Sequence, residues 1–160
     1  MNDDLTRRVE AMNPSALEAL EISGHVWRGM GFKSYAQAIY PQFDICKDPL
    51  PADHFDIADA DVASKNVLQS LRPGGAFVIS TPFLIKYHPS PLDNCRWSAD
   101  GLKVHLLRAG FASAETWSWG NKACLIANLD EPFPIYDPAR HSLENEPAFP
   151  LVVWGIARKR

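Results

Sequence analysis

The sequence predicts an α/β fold: a mostly parallel sheet with helices on both faces and an antiparallel final strand pair. Three observations carry that reading. The first is the run Leu71-Arg72-Pro73-Gly74-Gly75-Ala76-Phe77-Val78-Ile79-Ser80-Thr81-Pro82-Phe83, which reads as a helix tail, a Pro-Gly-Gly turn, an apolar strand without alternation and a proline exit. A strand apolar at every position is buried on both faces, the habit of a parallel strand covered by helices. The second is the order of a strand at 54–59, a helix with Val67, Leu68 and Leu71 on one face, the turn and the next strand, which is a βαβ unit. The third is the apolar run 151–157, with strand material before it and no clear helix between, which suits an antiparallel closing pair.

The elements follow in chain order. Leu5, Val9 and Met12 recur at helical spacing, Asn13-Pro14 stops that pattern, and a second short amphipathic stretch runs through Leu17 and Leu20. Ala19-Leu20-Glu21-Ile22-Ser23-Gly24 reads as a short buried strand ending in an acid, a serine and a glycine. Residues 33–39 alternate loosely, and Phe43-Asp44-Ile45-Cys46 reads as a further short strand before the turn-rich Lys47-Asp48-Pro49-Leu50-Pro51. Beyond the proline exit lies the ring-rich loop Tyr87-His88-Pro89-Ser90-Pro91-Leu92-Asp93-Asn94-Cys95-Arg96-Trp97. Ser98 is a good N-cap for a helix with Leu102, Leu106 and Ala109 on one stripe, and Gly110 stands where a left-handed C-terminal residue belongs. Residues 115–119 and 123–128 read as strands around Gly120-Asn121, and 130–150 as a proline-rich excursion.

Composition bounds the function. With 160 residues and 46% hydrophobic content, the chain has enough for a single domain spanning 1–160. A net charge of −3 with scattered basic residues argues against a nucleic-acid partner. No apolar run reaches the ~20 residues of a membrane span, and the acidic start differs from a secretory signal, so a cytoplasmic protein with no membrane association is expected. Cys46, Cys95 and Cys124 are widely spaced without CxxC pairing, which points to a reduced compartment and to no metal site.

The segments Leu20-Glu21-Ile22-Ser23-Gly24, Phe55-Asp56-Ile57, Leu71-Arg72-Pro73-Gly74-Gly75 and Arg108-Ala109-Gly110-Phe111, in that order, resemble the class I S-adenosylmethionine-dependent methyltransferases, whose sheet is Rossmann-like. The resemblance covers about Ala16 to Asn128 plus the last strand, and is closer still to small bacterial methyltransferase-domain proteins with Phe-Asp-Ile-Cys, Thr-Pro-Phe-Leu-Ile and Arg-Trp runs. It implies S-adenosylmethionine as cofactor. Glu21 matches the acid that orients the first loop near the methionine end, and Ser23 and Gly24 match the loop itself. Tyr40 stands about where the ribose hydroxyls are met. Asp44 matches the acid that meets the adenine amino group, Ile45 would pack on adenine, and Asp59 lies at the level of the methionine moiety. Such a site needs a glycine where a side chain would block the ligand, acids to accept from amines and apolar walls.

The loop after the Pro-Gly-Gly strand faces the same crevice and supplies the candidates for substrate chemistry. His88 could serve as base, Asp93 could accept a proton or bind a cation, and Arg96 could grip an anionic substrate, with Trp97 a further contact for an acceptor that is a small molecule or saccharide-like. Each has a plainer structural reading: an exposed loop histidine, an Asx turn, an ion pair with Asp93, and a hydrophobic staple for the next helix.

Three departures from the family pattern stand out, the first being that no clear acid ends the second strand, where Tyr40 could offer the ribose hydroxyls only a phenol. Where the family carries acid-x-Gly-x-Gly-x-Gly, this chain has Glu21-Ile22-Ser23-Gly24-His25-Val26-Trp27, and His25, Trp27 and Arg28 could fill the space left by glycines. The segment after the fourth family strand is shortened to Asp61-Val62-Ala63. The alternative function is therefore a catalytically inactive methyltransferase-like binding or assembly domain. A nicotinamide-dependent dehydrogenase ranks below both, because no G-x-G-x-x-G follows the first strand. The sequence is compatible with a homo-oligomer.

Overall fold

The computed structural model describes residues 3–22, 24–45, 47–59, 64–89, 93, 95–130 and 139–160. Strands β1 (Glu18–Ile22), β2 (Ser34–Ala38), β3 (Phe55–Asp59), β4 (Leu71–Pro82), β5 (Ser113–Trp119) and β6 (Val152–Arg158) form one sheet in the order β2-β1-β3-β4-β6-β5. The first four are mutually parallel, and β6 runs antiparallel between β4 and β5. The predicted mostly parallel sheet with an antiparallel closing pair is therefore the observed one.

Alternation along each strand builds two apolar layers. Leu20, Ile22, Phe77, Ile79, Val153 and Ala157 face one side, where Val67 of α2 (Ser64–Ser70) and Leu102 and Leu106 of α3 (Ala99–Ala109) cover them. Ala19, Ala76, Val78 and Trp154 face the other, where Leu5 and Val9 of α1 (Asp3–Glu10) pack. Arg8 ties α1 to the sheet by lying 3.9 Å over the Trp117 ring of β5, and a 2.8 Å ion pair to Asp4 within the helix orients it. The α3 caps form as the sequence predicts: Ser98 Oγ accepts from Gly101 N–H, and Gly110 takes a φ of 112°.

The Pro-Gly-Gly turn is a bulge inside β4 rather than a separate turn. Leu71 pairs with Phe55, pairing resumes at Ala76 with Ile57, and Arg72 to Gly75 loop out between them with Gly74 at φ 77°. From that bulge Arg72 reaches Glu18 at 2.9 Å and Asp56 at 3.0 Å, joining the amino ends of β1, β3 and β4. The two carboxylates push the guanidinium pKa up, and Arg72, then Lys33, lower that of Glu18.

Three expectations are corrected. Residues 123–128 are helical, within α4 (Lys122–Asp130). Asn121 causes this: its Oδ1 accepts from Cys124 N–H at 2.8 Å and its carbonyl from Leu125 N–H at 3.0 Å, which starts a helix instead of turning a hairpin. No strand forms over Phe43 to Ile45, because the Asp44 carbonyl accepts from Lys47 and Asp48 N–H and the Asp48 carboxylate from Asp44 N–H, closing a turn. Its apolar side chains Phe43 and Ile45 pack onto the α2–α3 side of the core. Leu17 and Leu20 likewise belong to no second helix; one 3-10 turn at Pro14–Ala16 leads directly into β1. Among the described residues, no helix is long and apolar enough to cross a membrane.

Candidate functional site

The carboxyl ends of β1 to β5 share one edge of the sheet. From β1 the chain crosses to β2 on one side and then back to β3 on the other, which makes the β1–β3 boundary at that edge a topological switch point. Glu21 sits there, in register with Gln37 of β2 and Asp59 of β3.

Glu21 is 0% exposed yet fully engaged. One carboxylate oxygen accepts from Val26 N–H at 2.7 Å, and the other from Trp27 N–H at 3.1 Å and from the Tyr35 hydroxyl at 2.6 Å. The acid thereby folds the segment after β1 into a tight loop ending in the 3-10 turn Trp27–Gly29. Gly24 lies directly on it: a Cβ there would come 2.4 Å from a Glu21 carboxylate oxygen. The Gln37 side-chain amide donates to the Gly24 carbonyl. Trp27 is buried against Leu5, Val9, Ile57 and Phe32 on the sheet face, so its ring is part of the core, while His25 and Arg28 are exposed.

The other cofactor candidates line the same edge less tightly. Tyr40 is 53% exposed just beyond β2. Asp44 is half-buried with its carboxylate 2.9 Å from the Lys47 ammonium. Ile45 is half-buried, and its carbonyl accepts from the Asn66 side chain at 2.6 Å. Asp59 is the last residue of β3, and its backbone register is all that the structure gives. Ser23 lies outside the described residues.

On the β4 side, Arg96 organises the exit loop. Its guanidinium donates to the carbonyls of Phe83 at 2.7 Å, Ile85 at 3.4 Å and Lys86 at 3.3 Å, and grips both oxygens of Asp93. Asp93 also accepts from His88 N–H at 2.9 Å. The Arg96 bonds, and then the His88 N–H, hold the Asp93 carboxyl at a pKa of about 2, so it is a weak proton acceptor at neutral pH. The structure thus brings His88, Asp93 and Arg96 together in one hydrogen-bonded group.

Trp97 is half-buried, its ring 4.7 Å from that of His105. Ser64, at the start of α2, bonds the His105 Nε2 at 3.0 Å, and burial pushes the His105 pKa down. Trp97, Asp100, Gly101, Val104, His105 and Arg108 line a groove of about 470 Å³ along α3. Tyr35, Gln37, Ser64 and His105 were not singled out from sequence. A signal existed for the first two, since they alternate on one face of a strand adjoining the acid; His105 carries none beyond flanking the Leu102–Leu106 stripe. Among the described residues no group of three or more His, Cys, Asp or Glu could hold a metal, and the described cysteines, Cys95 and Cys124, are free.

No protein-family model and no curated protein matches the sequence. Solved structures do. An S-adenosylmethionine-dependent methyltransferase from Mesorhizobium loti superposes with a TM-score of 0.62 at 19% identity, over 98% of this chain and 96% of that one. The chain has a class I methyltransferase fold. A second such enzyme, from Archaeoglobus fulgidus, gives 0.60 at 10% identity over 98% and 93% of the two chains. The Burkholderia thailandensis 1,6-didemethyltoxoflavin-N1-methyltransferase, solved with that substrate and S-adenosylhomocysteine, gives 0.61 at 11% identity over 98% and 76%. At these identities the likeness is one of fold, so the methyltransferase-fold chain owes any activity to its own residues.

Proposed function

We propose that this chain binds S-adenosylmethionine at the β1–β3 switch point and transfers its methyl group to a small-molecule acceptor at the β4 exit loop. The observation that carries the reading is the buried Glu21 carboxylate, which holds a compact loop at the crevice where such sheets bind ligands. The residues fit the group. Gly24 packs so closely on Glu21 that a side chain there would displace the carboxylate and with it the loop, Asp44 offers an acceptor for an adenine amine, and Tyr40 offers an exposed phenol for ribose hydroxyls. Ser23, Ile45 and Asp59 complete the assigned set, with Asp59 and Glu21 toward the methionine end.

When bound, the cofactor supplies a methyl group on a sulfonium, and such a transfer asks the protein for alignment and, for oxygen or nitrogen acceptors, for a proton sink. Arg96 holds the carbonyls of Phe83, Ile85 and Lys86, and Asp93 holds the His88 N–H. His88, whose N–H is anchored on Asp93, takes the acceptor's proton, and Trp97 gives the loop an apolar wall for a saccharide-like ring. Asp93 is then a positioning residue rather than the base. Calorimetry with S-adenosylmethionine and S-adenosylhomocysteine tests the reading. Binding in the micromolar range is expected, weakened by Gly24→Val; no heat from either ligand at millimolar concentration refutes it.

A further inference from the structure

Resting on that cofactor reading, we infer that β2 supplies a lock for the ligand loop: Tyr35 and Gln37 are positioning residues that hold Gly24, Val26 and Trp27 in binding geometry through side chains. The two lie two positions apart on one strand and so share a face, opposite Ala19 and Glu21 of β1. Tyr35 fixes the Glu21 carboxylate from below with a 2.6 Å bond, and that carboxylate in turn holds Val26 and Trp27. Gln37 adds a second hold on the loop, at the Gly24 carbonyl.

The arrangement answers a specific problem. A loop with a single glycine, followed by His25, Val26 and Trp27, cannot curl as freely as one built on repeated glycines. The Glu21 carboxylate must be held in one orientation to meet both amides. The phenol selects that orientation, because an acceptor-only carboxylate buried at 0% exposure needs each donor it can find. The Tyr35 ring packs against the buried cluster that contains Ala19 and Trp27, so its hydroxyl is presented from a fixed base. Tyr35 and Gln37 therefore act on the ligand only through the loop.

The test compares the full-length wild type with Tyr35→Phe, Gln37→Ala and Glu21→Gln without ligand, by amide hydrogen exchange, and with S-adenosylhomocysteine by calorimetry. Tyr35→Phe should speed exchange at Val26 and Trp27 about tenfold, the equivalent of one hydrogen bond, while amides of β4 and β6 keep their protection. S-adenosylhomocysteine affinity should fall by a similar factor, and Glu21→Gln combined with Tyr35→Phe should lose little more than Glu21→Gln alone. Gln37→Ala, at an exposed side chain that the core does not need, should speed exchange in the loop by itself. Unchanged loop exchange in both Tyr35→Phe and Gln37→Ala, or an equal rise throughout the sheet, overturns the lock. If the wild type does not bind S-adenosylhomocysteine, the cofactor reading fails, and the exchange comparison still decides whether β2 holds the loop.

Discussion

Glu21→Ala is the substitution whose effect the structure defines most closely. It removes the acceptor of three donors at once. Trp27 N–H is buried and would be left without a partner, at about 1–3 kcal/mol. Val26 N–H and the Tyr35 hydroxyl are partly accessible, so water entering the vacated space recovers some of each bond, and about 0.5–1.5 kcal/mol apiece is lost. Against this stands relief from burying a carboxylate, which brings the net destabilisation to about 2–4 kcal/mol. For a chain of this size that corresponds to a fall of about 4–16 °C in Tm. Urea unfolding followed by tryptophan fluorescence measures it, with an unchanged m-value as the check that only stability moved. A loss under about 1 kcal/mol would show that the loop does not depend on the acid, and the argument built on Glu21 would fall.

Three further outcomes are expected. Gly120→Ala should destabilise by about 2–4 kcal/mol in thermal unfolding, because the new Cβ would meet backbone, 2.2 Å from the Phe149 carbonyl and 2.4 Å from Leu151 N, and must break the Leu151-to-Trp119 and Glu146-to-Gly120 bonds; a neutral result would contradict the close packing of that corner. The pKa of Asp93 lies below its ordinary value of 3.8, so its ionised form favours the folded loop: that contribution is complete above about pH 4 and is lost as the pH falls through about 2. The Tm difference between wild type and Asp93→Asn should accordingly close over that interval, and a constant gap speaks against the assignment. His105 has a lowered pKa, so its contribution is present above the ordinary value of 6.5 and declines as the pH drops below it. An NMR titration of the imidazole should place its midpoint under 6.5, and a midpoint at or above that value contradicts burial as the governing influence.

Much of the sheet was legible because parallel strands covered on both faces announce themselves as unbroken apolar runs, as residues 76–79 do. Short elements were harder. Phe43-Asp44-Ile45 has the apolar alternation of a strand, but two aspartates four apart hydrogen-bond the backbone locally and turn it. Gly120-Asn121 resembles a hairpin turn by residue type; only the structure shows Asn121 serving as a cap, with its amide also bonded to the carbonyls of Ser142 and Glu144. The acid of the site was legible from its place before Ser23-Gly24. Its donors were less plain: the alternation of Tyr35 and Gln37 on a strand was a trace whose pairing with β1 only the fold reveals, and Trp27 could equally have entered the crevice. Burial beside α1 decided that, a choice made by tertiary packing alone.

The place of β6 between β4 and β5 bears on how the protein is made. Residues 152–158 pair with 76–82 on one side and with 113–119 on the other, so both neighbours remain open strand edges until the last strand arrives. On the ribosome, everything up to α4 can emerge with its central sheet still divided, with Trp117 and Val78 lacking the wall that Trp154 provides. Closure is then a late step between segments far apart in sequence, which is slow by topology and leaves the newborn chain open to strand pairing with its neighbours.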